Sequence, residues 1–428
     1  MSTNILFISF FILLILGIPI GAAIGLSSIL TLAVGGQIPL LVVVQRLFVS
    51  INSFPLMAIP FFMLAGTIMD RSGITQRLVN LASALVGWLK GGMCYVTVVT
   101  GMLMGGISGS APADTAALTS IMVPSMKKLG YPGPFAAALQ AASGSIGIII
   151  PPSIPMIILG SIANISVGAL FLGGFIPGFL IGISLMFVSA FISIKQGYGV
   201  KYYKKFTLKY LFISMKEAFL PMLIPIIIIG GILGGIFTPT EASVIAVIYT
   251  LFLGIFVYKS IKISDISDMF TESTLNAASV MFLIAASSLF SWILVSNGFS
   301  KQVSEFVFSV SKNPIFILLV INVIFFIGGM LLEGLALMIM LVPILLPIAM
   351  DVGIDPVAFG VMIVINIAIG TITPPVGVCI SVASSSGGVN FESVAKSAVP
   401  FILSLVLVLL LVIIFPTIIT SIPDFFIK

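Results

Sequence analysis

Gly147-Ile148-Ile149-Ile150-Pro151-Pro152-Ser153-Ile154-Pro155 has a counterpart 223 residues downstream, Gly370-Thr371-Ile372-Thr373-Pro374-Pro375-Val376-Gly377. Both stretches lie in apolar runs, and both place a proline pair four residues after a glycine. At the same offset Gly105 and Gly106 align with Gly328 and Gly329, Pro124 with Pro347, and Gly130 with Gly353. That makes seven Gly or Pro identities without a gap across 48 positions. Composition alone gives roughly 0.6 in such a window, so the chain carries an internal repeat.

Each repeat reads the same way. An apolar segment of about 15 residues, too short for a full span, runs into a polar or Gly-rich tip and a second segment returns from it. The tips are Ser108-Gly109-Ser110-Ala111-Pro112-Ala113-Asp114 and Gly328-Gly329-Met330-Leu331-Leu332-Glu333-Gly334. The pattern predicts re-entrant hairpins over 92–127 and 314–350, each followed by a Pro-broken helix, over 131–163 and 356–386.

The composition places these elements in a bilayer. Of 428 residues, 60% are hydrophobic and 7% charged, with a mean hydropathy of +1.32. At roughly 20 residues per span the apolar stretches predict about ten to thirteen embedded segments in an all-α, polytopic membrane protein. The run 1–34 has no positive n-region and reads as a first transmembrane helix. The net charge of +5 sits in a few loops, as an orientation signal, and does not point to nucleic acid. Cys94 and Cys379 lie in apolar context and read as core residues. Histidine is absent, and no phosphate-binding GxxxxGK[ST] loop occurs. These absences, with no nucleophile–base pair, argue against an enzyme or an ATP-driven pump. An ion-coupled transporter or a channel remains.

Orientation follows from the basic loop 195–216, which carries Lys195, Lys201, Lys204, Lys205, Lys209 and Lys216 and no acid. It reads as cytoplasmic and separates a first half, 1–194, from a second, 217–428. Lys127 and Lys128 follow the first hairpin, whereas Met350 and Asp351 stand at the matching positions of the second, with Asp355 nearby. The two halves therefore read as an inverted-topology repeat, with one hairpin entering from each face.

Proline removes an N–H and clashes with the carbonyl four residues earlier, so the two pairs free the carbonyls of Gly147, Ile148, Gly370 and Thr371. Sodium, a hard cation, suits such oxygens. Ser143, Ser145 and Ser153 flank the first break, Thr371 and Thr373 the second, and Ser108 and Ser110 approach from the first tip. The first candidate sodium region is therefore Ser108, Ser110, Asp114, Ser145, Gly147 and Ser153. The second is Gly329, Glu333, Gly370, Thr371, Thr373 and Gly377. The plainer reading is a kink repaired by neighbouring hydroxyls; two pairs at matched positions after hairpin tips favour ion binding. Asp114 and Glu333 are the acids nearest the tips and either attract cations or cap the returning helices. Thr238-Pro239-Thr240-Glu241 has the form of a capping box, and Ser53-Phe54-Pro55 through Pro60-Phe61-Phe62 that of a kinked span.

The chain resembles the large membrane subunit of TRAP (tripartite ATP-independent periplasmic) transporters, the DctM-like subunit. The matching stretches are Ile59-Pro-Phe-Phe-Met-Leu-Ala-Gly66, Ile107-Ser-Gly-Ser110, Ile150-Pro-Pro-Ser-Ile-Pro155, Phe237-Thr-Pro-Thr-Glu-Ala242 and Thr371-Ile-Thr-Pro-Pro-Val-Gly377. The resemblance implies an elevator-type transport domain in a bacterial inner membrane, with Na+ as coupling ion near each hairpin tip. It places Ser108, Ser110, Asp114 and Ser153 in one ion region, and Glu333, Thr371 and Thr373 in the other. The family commonly has Asp at the position of Glu333; the charge is kept and the reach is longer by one methylene. The resemblance also implies two partners, a small four-helix membrane subunit and a periplasmic substrate-binding protein. At this length the small subunit is expected as a separate chain. The cargo it implies is an organic acid: a C4-dicarboxylate, a sialic acid or another carboxylate. The alternative is a stand-alone sodium symporter of divalent anions. No arginine clamp is readable, because Arg46, Arg71 and Arg77 all lie early in the chain, so selectivity is expected mainly in the binding protein.

Overall fold

The computed structural model describes residues 2–36, 38–199 and 206–426, and all the regular structure among them is helical. A chain this apolar has little choice. In hydrocarbon each backbone N–H and C=O must find a partner inside the protein, and a helix supplies it within one segment. Among the described residues seven helices are long and apolar enough to cross a membrane, and a bent pair, Leu41–Ile51 with Pro55–Arg71, makes an eighth when taken as one span. Shorter apolar helices include Gly92–Ser108, Ile154–Ala163, Pro356–Thr371 and Val378–Gly387.

The run expected to form one first helix forms two, Ser2–Ile15 and Ile20–Gly35, which pack on each other. Gly17 turns the chain in the left-handed region at φ +78, and Pro19, which has no N–H to donate, precedes the second helix. The basic loop is shorter than expected. Lys195 is still in the helix Val167–Gln196, and Lys209 and Lys216 lie on Leu208–Leu233. The apolar stretch Leu208-Lys-Tyr-Leu-Phe-Ile carries the helix back into the basic segment. Lys201, Lys204 and Lys205 fall outside the described residues.

The first hairpin consists of Gly92–Ser108 and Ala111–Lys128, the second of Pro314–Leu331 and Gly334–Asp351. Their legs, of 17 and 18 residues in the first and 18 and 18 in the second, exceed the expected length. The helices run on through the Gly pairs at the tips and accommodate Pro124, Pro343 and Pro347 inside the returning legs. The outgoing legs end at Ser108 and Leu331, and the returning legs run from Ala111 and Gly334 to Lys128 and Asp351. All three pairs of bounds are 223 apart. The offset extends further than the Gly and Pro matches. Added to the bent pair, which occupies 41–71, it gives 264–294, and there one continuous helix stands, Ile263–Ser296. The first half is bent by 68° between Ile51 and Pro55, where the second half has one unbroken helix.

Packing crosses between the halves. The returning leg of the first hairpin packs on Val378–Gly387, the far part of the second broken helix. The returning leg of the second packs on Ile154–Ala163, the far part of the first. Lys127 Nζ donates to Gly387 O at 2.9 Å, and a cation suits the C-terminal end of that helix. The capping box forms as expected: Glu241 N donates to Thr238 Oγ1 at 3.3 Å, and Thr238 N to Glu241 Oε2 at 2.8 Å. Thr240 Oγ1 then donates to Phe54 O at 2.8 Å, tying this helix to the kink.

Glycine sets how closely hairpin and broken helix approach. A Cβ on Gly105 would stand 2.6 Å from Gly147 Cα, and one on Gly370 would stand 3.1 Å from Gly329 O. Replacement of Gly105 by alanine overpacks this contact, at a cost of about 1–3 kcal/mol. The expected result is a melting temperature several degrees lower for Gly105→Ala in detergent. Gly230→Ala, in a helix with open space around it, is expected not to lower the melting temperature, and to raise it slightly through helix propensity.

Candidate functional site

Both tips and both breaks converge on one cavity of about 650 Å³. Its wall takes Ser108–Ala113 from the first tip and Leu332, Glu333 and Leu335 from the second. Ile148, Ile154 and Pro155 come from the first break, and Gly370, Thr371, Val376 and Gly377 from the second. Helix Ala58–Arg71, with Asp70 and Arg71, and helix Ile263–Ser296, with Glu272 and Asn276, complete the wall.

Each tip is pinned to the break of its own half by a backbone hydrogen bond. Ile154 N donates to Gly109 O at 3.4 Å, and Val376 N to Met330 O at 3.3 Å. Both proline pairs, Pro151-Pro152 and Pro374-Pro375, have cis bonds. Gly109, with φ +64, lies so close that a Cβ would be 2.7 Å from Pro152 O. The chain can turn there only without a side chain.

The first region gathers around Asp114, which is fully buried in the first turn of its helix. Ser108 Oγ donates to Asp114 Oδ1 at 2.5 Å, and Ser110 N donates to Ser108 Oγ at 3.2 Å. Asp114 Oδ2 has no hydrogen-bond partner among the described residues. It points at the break, where a Cβ on Gly147 would collide with it. Ser143 Oγ, on the broken helix, is buried and equally unpartnered. Ser153 is committed differently. It donates to Ile148 O at 2.5 Å and accepts from Met156 N at 3.3 Å, which caps Ile154–Ala163. The Ile148 carbonyl expected to be free is thus satisfied by a side chain. Ser145 donates back to Ala142 O at 2.8 Å.

The second region has another chemistry. Glu333 is the N-cap residue of Gly334–Asp351, makes no side-chain cap bond and faces the cavity. Its Oε2 is buried with no partner among the described residues. By the repeat register Glu333 matches Ser110, and not Asp114. Thr371 Oγ1 donates to Ala368 O at 2.7 Å and Thr373 Oγ1 to Ile369 O at 2.6 Å. Their hydrogens are therefore spent on the helix, and their lone pairs remain as acceptors. Ser108, Ser110, Gly329, Glu333, Gly370, Thr371 and Gly377 line the cavity. Asp114, Ser145, Gly147, Ser153 and Thr373 stand behind its wall.

Several groups of the site lie outside the two expected ion regions. Asn366 Nδ2 donates to Asn322 O at 2.8 Å and to Asn322 Oδ1 at 3.1 Å, and Asn366 Oδ1 is buried without a partner. Asn366 is the register mate of Ser143. A lone Asn in an apolar run, as in Ile321-Asn-Val323 and Ile365-Asn-Ile367, is the available signal, because polar groups at membrane depth are costly. Arg71 corrects the reading that no arginine reaches the site: it lines the cavity and pairs with Glu272 at 2.8 Å. Nothing local shows this, since 201 residues separate the pair.

Among the described residues no three His, Cys, Asp or Glu side chains gather at one point. The ligand atoms here are single carboxylates with hydroxyls and carbonyls, an oxygen set of the kind hard cations take.

The sequence matches the family described as "Tripartite ATP-independent periplasmic transporter, DctM component" over residues 7–418. It is 39% identical over 414 residues to the sialic acid TRAP transporter large permease protein SiaM of Vibrio cholerae, covering 97% of this chain and 96% of that one. It is 40% identical over 422 residues to the isethionate TRAP transporter permease protein DctMQ of Oleidesulfovibrio alaskensis, covering 99% of this chain and 66% of that longer one. The C4-dicarboxylate TRAP transporter large permease protein DctM of Pseudomonas aeruginosa is 35% identical over 403 residues, 94% of each chain. The solved YdaH transporter of Alcanivorax borkumensis shares the fold, with a TM-score of 0.62, 16% identity and 86% of each chain covered.

Ser153 performs two structural tasks, so Ser153→Ala loses a cap and leaves the Ile148 carbonyl unsatisfied. The expected loss is about 1–2 kcal/mol, read as a lower melting temperature in detergent. Ser145→Ala, which removes only a back-bond within its own helix, changes stability by less than about 0.5 kcal/mol.

Proposed function

The chain belongs to the DctM family of tripartite ATP-independent periplasmic transporter components, multi-pass inner-membrane permeases and not enzymes, and from that premise we propose that it imports an organic acid anion by sodium symport. The observation that carries the reading is a single one. Two hairpin tips and two helix breaks share one cavity, and on or behind its wall stand two carboxylates, Asp114 and Glu333, each with a buried oxygen lacking a partner among the described residues. A buried carboxylate in that state calls for a cation. Sodium at Asp114 draws on the first break, and sodium at Glu333 on Gly370 and Thr371. The sites are chemically unlike, since one is a closed carboxylate–serine pair and the other a glutamate open to the cavity.

The cations do two things in this reading. They fix the tips on the breaks, completing the pinned geometry already present in the backbone. They also offset negative charge in a cavity whose wall carries Asp70, Glu272 and Glu333 against Arg71 alone. An anion enters such a cavity only after cations do. The hairpins and broken helices, interlocked across the two halves, then move as one body past helices Ala58–Arg71 and Ile263–Ser296, in the manner of an elevator. Each net positive charge carried inward gains about 2.3 kcal/mol per 100 mV of membrane potential. The proposed partners are a small membrane subunit and a periplasmic binding protein that delivers the anion. The relatives transport sialic acid, isethionate and C4-dicarboxylates by their names, and the cargo proposed here is of that class.

Proteoliposomes holding the chain with both partners test this. Uptake of labelled cargo is expected under an inward sodium gradient, to rise with a negative interior, and to vanish when potassium replaces sodium. Asp114→Asn and Glu333→Gln are each expected to lower sodium-driven uptake by about tenfold or more. Uptake unaffected by sodium contradicts the proposal.

A further inference from the structure

The geometry points to Arg71 as the group that grips the anionic head of the cargo, by exchanging Glu272 for it. This inference rests on the organic-anion reading above and adds the residue that recognises the charge. Arg71 is the one cationic side chain in the cavity wall among the described residues. It sits on the last turn of Ala58–Arg71, so the C-terminal end of that helix favours its charge. Its recorded hydrogen bond goes to Glu272 Oε2, and a guanidinium has five donors in a planar fork that matches a carboxylate or sulfonate.

The pair is built to be exchanged. Its side chains are 41% and 52% exposed, and at such exposure an ion pair contributes little to folding. A carboxylate or sulfonate ligand offers Arg71 the same contact. Glu272 therefore acts as a stand-in anion that keeps the guanidinium aimed into the cavity while no cargo is present. Asp70, the neighbouring carboxylate, is turned to Thr75, whose Oγ1 donates to it at 3.2 Å. Asn276, one turn beyond Glu272 on the cavity face, can meet a polar group on the remainder of the cargo. Arg71 and Glu272 come from helices Ala58–Arg71 and Ile263–Ser296, whereas Asp114 and Glu333 come from the two hairpins.

The exchange predicts opposite signs for the two partners. Purified full-length chain is titrated with N-acetylneuraminate, succinate and isethionate, in sodium chloride and in potassium chloride, and the ligand-induced rise in melting temperature gives an apparent Kd. For whichever anion binds the wild type, Arg71→Ala is expected to weaken binding by about tenfold or more, and Arg71→Lys by less. Glu272→Gln removes the competitor and tightens binding by about threefold. Stabilisation by sodium alone is expected to stay at the wild-type level in all three variants, which also shows that they fold; should Arg71→Ala not fold, Glu272→Gln decides alone. Affinities that fall in both Arg71→Ala and Glu272→Gln, or that change in neither, overturn the inference and leave the organic-anion reading standing. A wild type that binds none of the three anions in sodium sinks that reading, and this inference with it.

Discussion

The hydrogen bond from Ile154 N to Gly109 O, and its mate from Val376 N to Met330 O, are the contacts on which the rest depends. A helix that stops inside a membrane leaves amides and carbonyls with no water to take them, and each costs several kcal/mol unless something in the protein answers. Here two kinds of interruption answer each other. The hairpin tip lacks helical partners at its turn, the broken helix lacks them at its prolines, and the two defects are placed in contact. Gly105 against Gly147, and Gly370 against Gly329, let the backbones come close enough. Once tip and break are joined in both halves, four interruptions surround one cavity, and irregular backbone has a place where it is tolerated.

The repair is incomplete. Ile148 O is satisfied by Ser153, and the Thr371 and Thr373 hydroxyls are turned to their own helix. Among the described residues, Asp114 Oδ2, Glu333 Oε2 and Asn366 Oδ1 remain buried without partners, and so do the hydroxyls of Ser143, Thr115 and Thr119 and the amide oxygen of Gln140. These are acceptors, and a cation is the ligand that satisfies several acceptors at once. The repeat duplicates the scaffold without duplicating the chemistry. Ser110 in one half is Glu333 in the other, and Ser143 is Asn366.

Much of this was legible in the sequence, because Gly and Pro act locally. The offset of 223 came from Gly and Pro alone, and the helix bounds repeat at it. The capping box at Thr238 and the kink at Phe54-Pro55 are local as well, set by neighbours three or four residues apart. The extents of 1–34 and 195–216 were misjudged, because apolar composition does not mark where a helix turns at Gly17 or resumes at Leu208. Of the site, the tips and breaks were legible as sequence motifs. The pairing of Arg71 with Glu272 was not, since it exists only when two distant helices meet across a cavity. Nor was the distinction between hydroxyls that repair the backbone and hydroxyls that stay open, which is decided by side-chain direction.

The central claim is that Asp114 and Glu333 each hold a sodium ion, at chemically distinct sites. Equilibrium binding of radiolabelled sodium to the purified chain tests it without reference to cargo or partners. The account predicts saturable binding at more than one site, with Asp114→Asn and Glu333→Gln each removing a different component and the double variant removing both. Absence of saturable sodium binding, or binding that persists unchanged in the double variant, would contradict it.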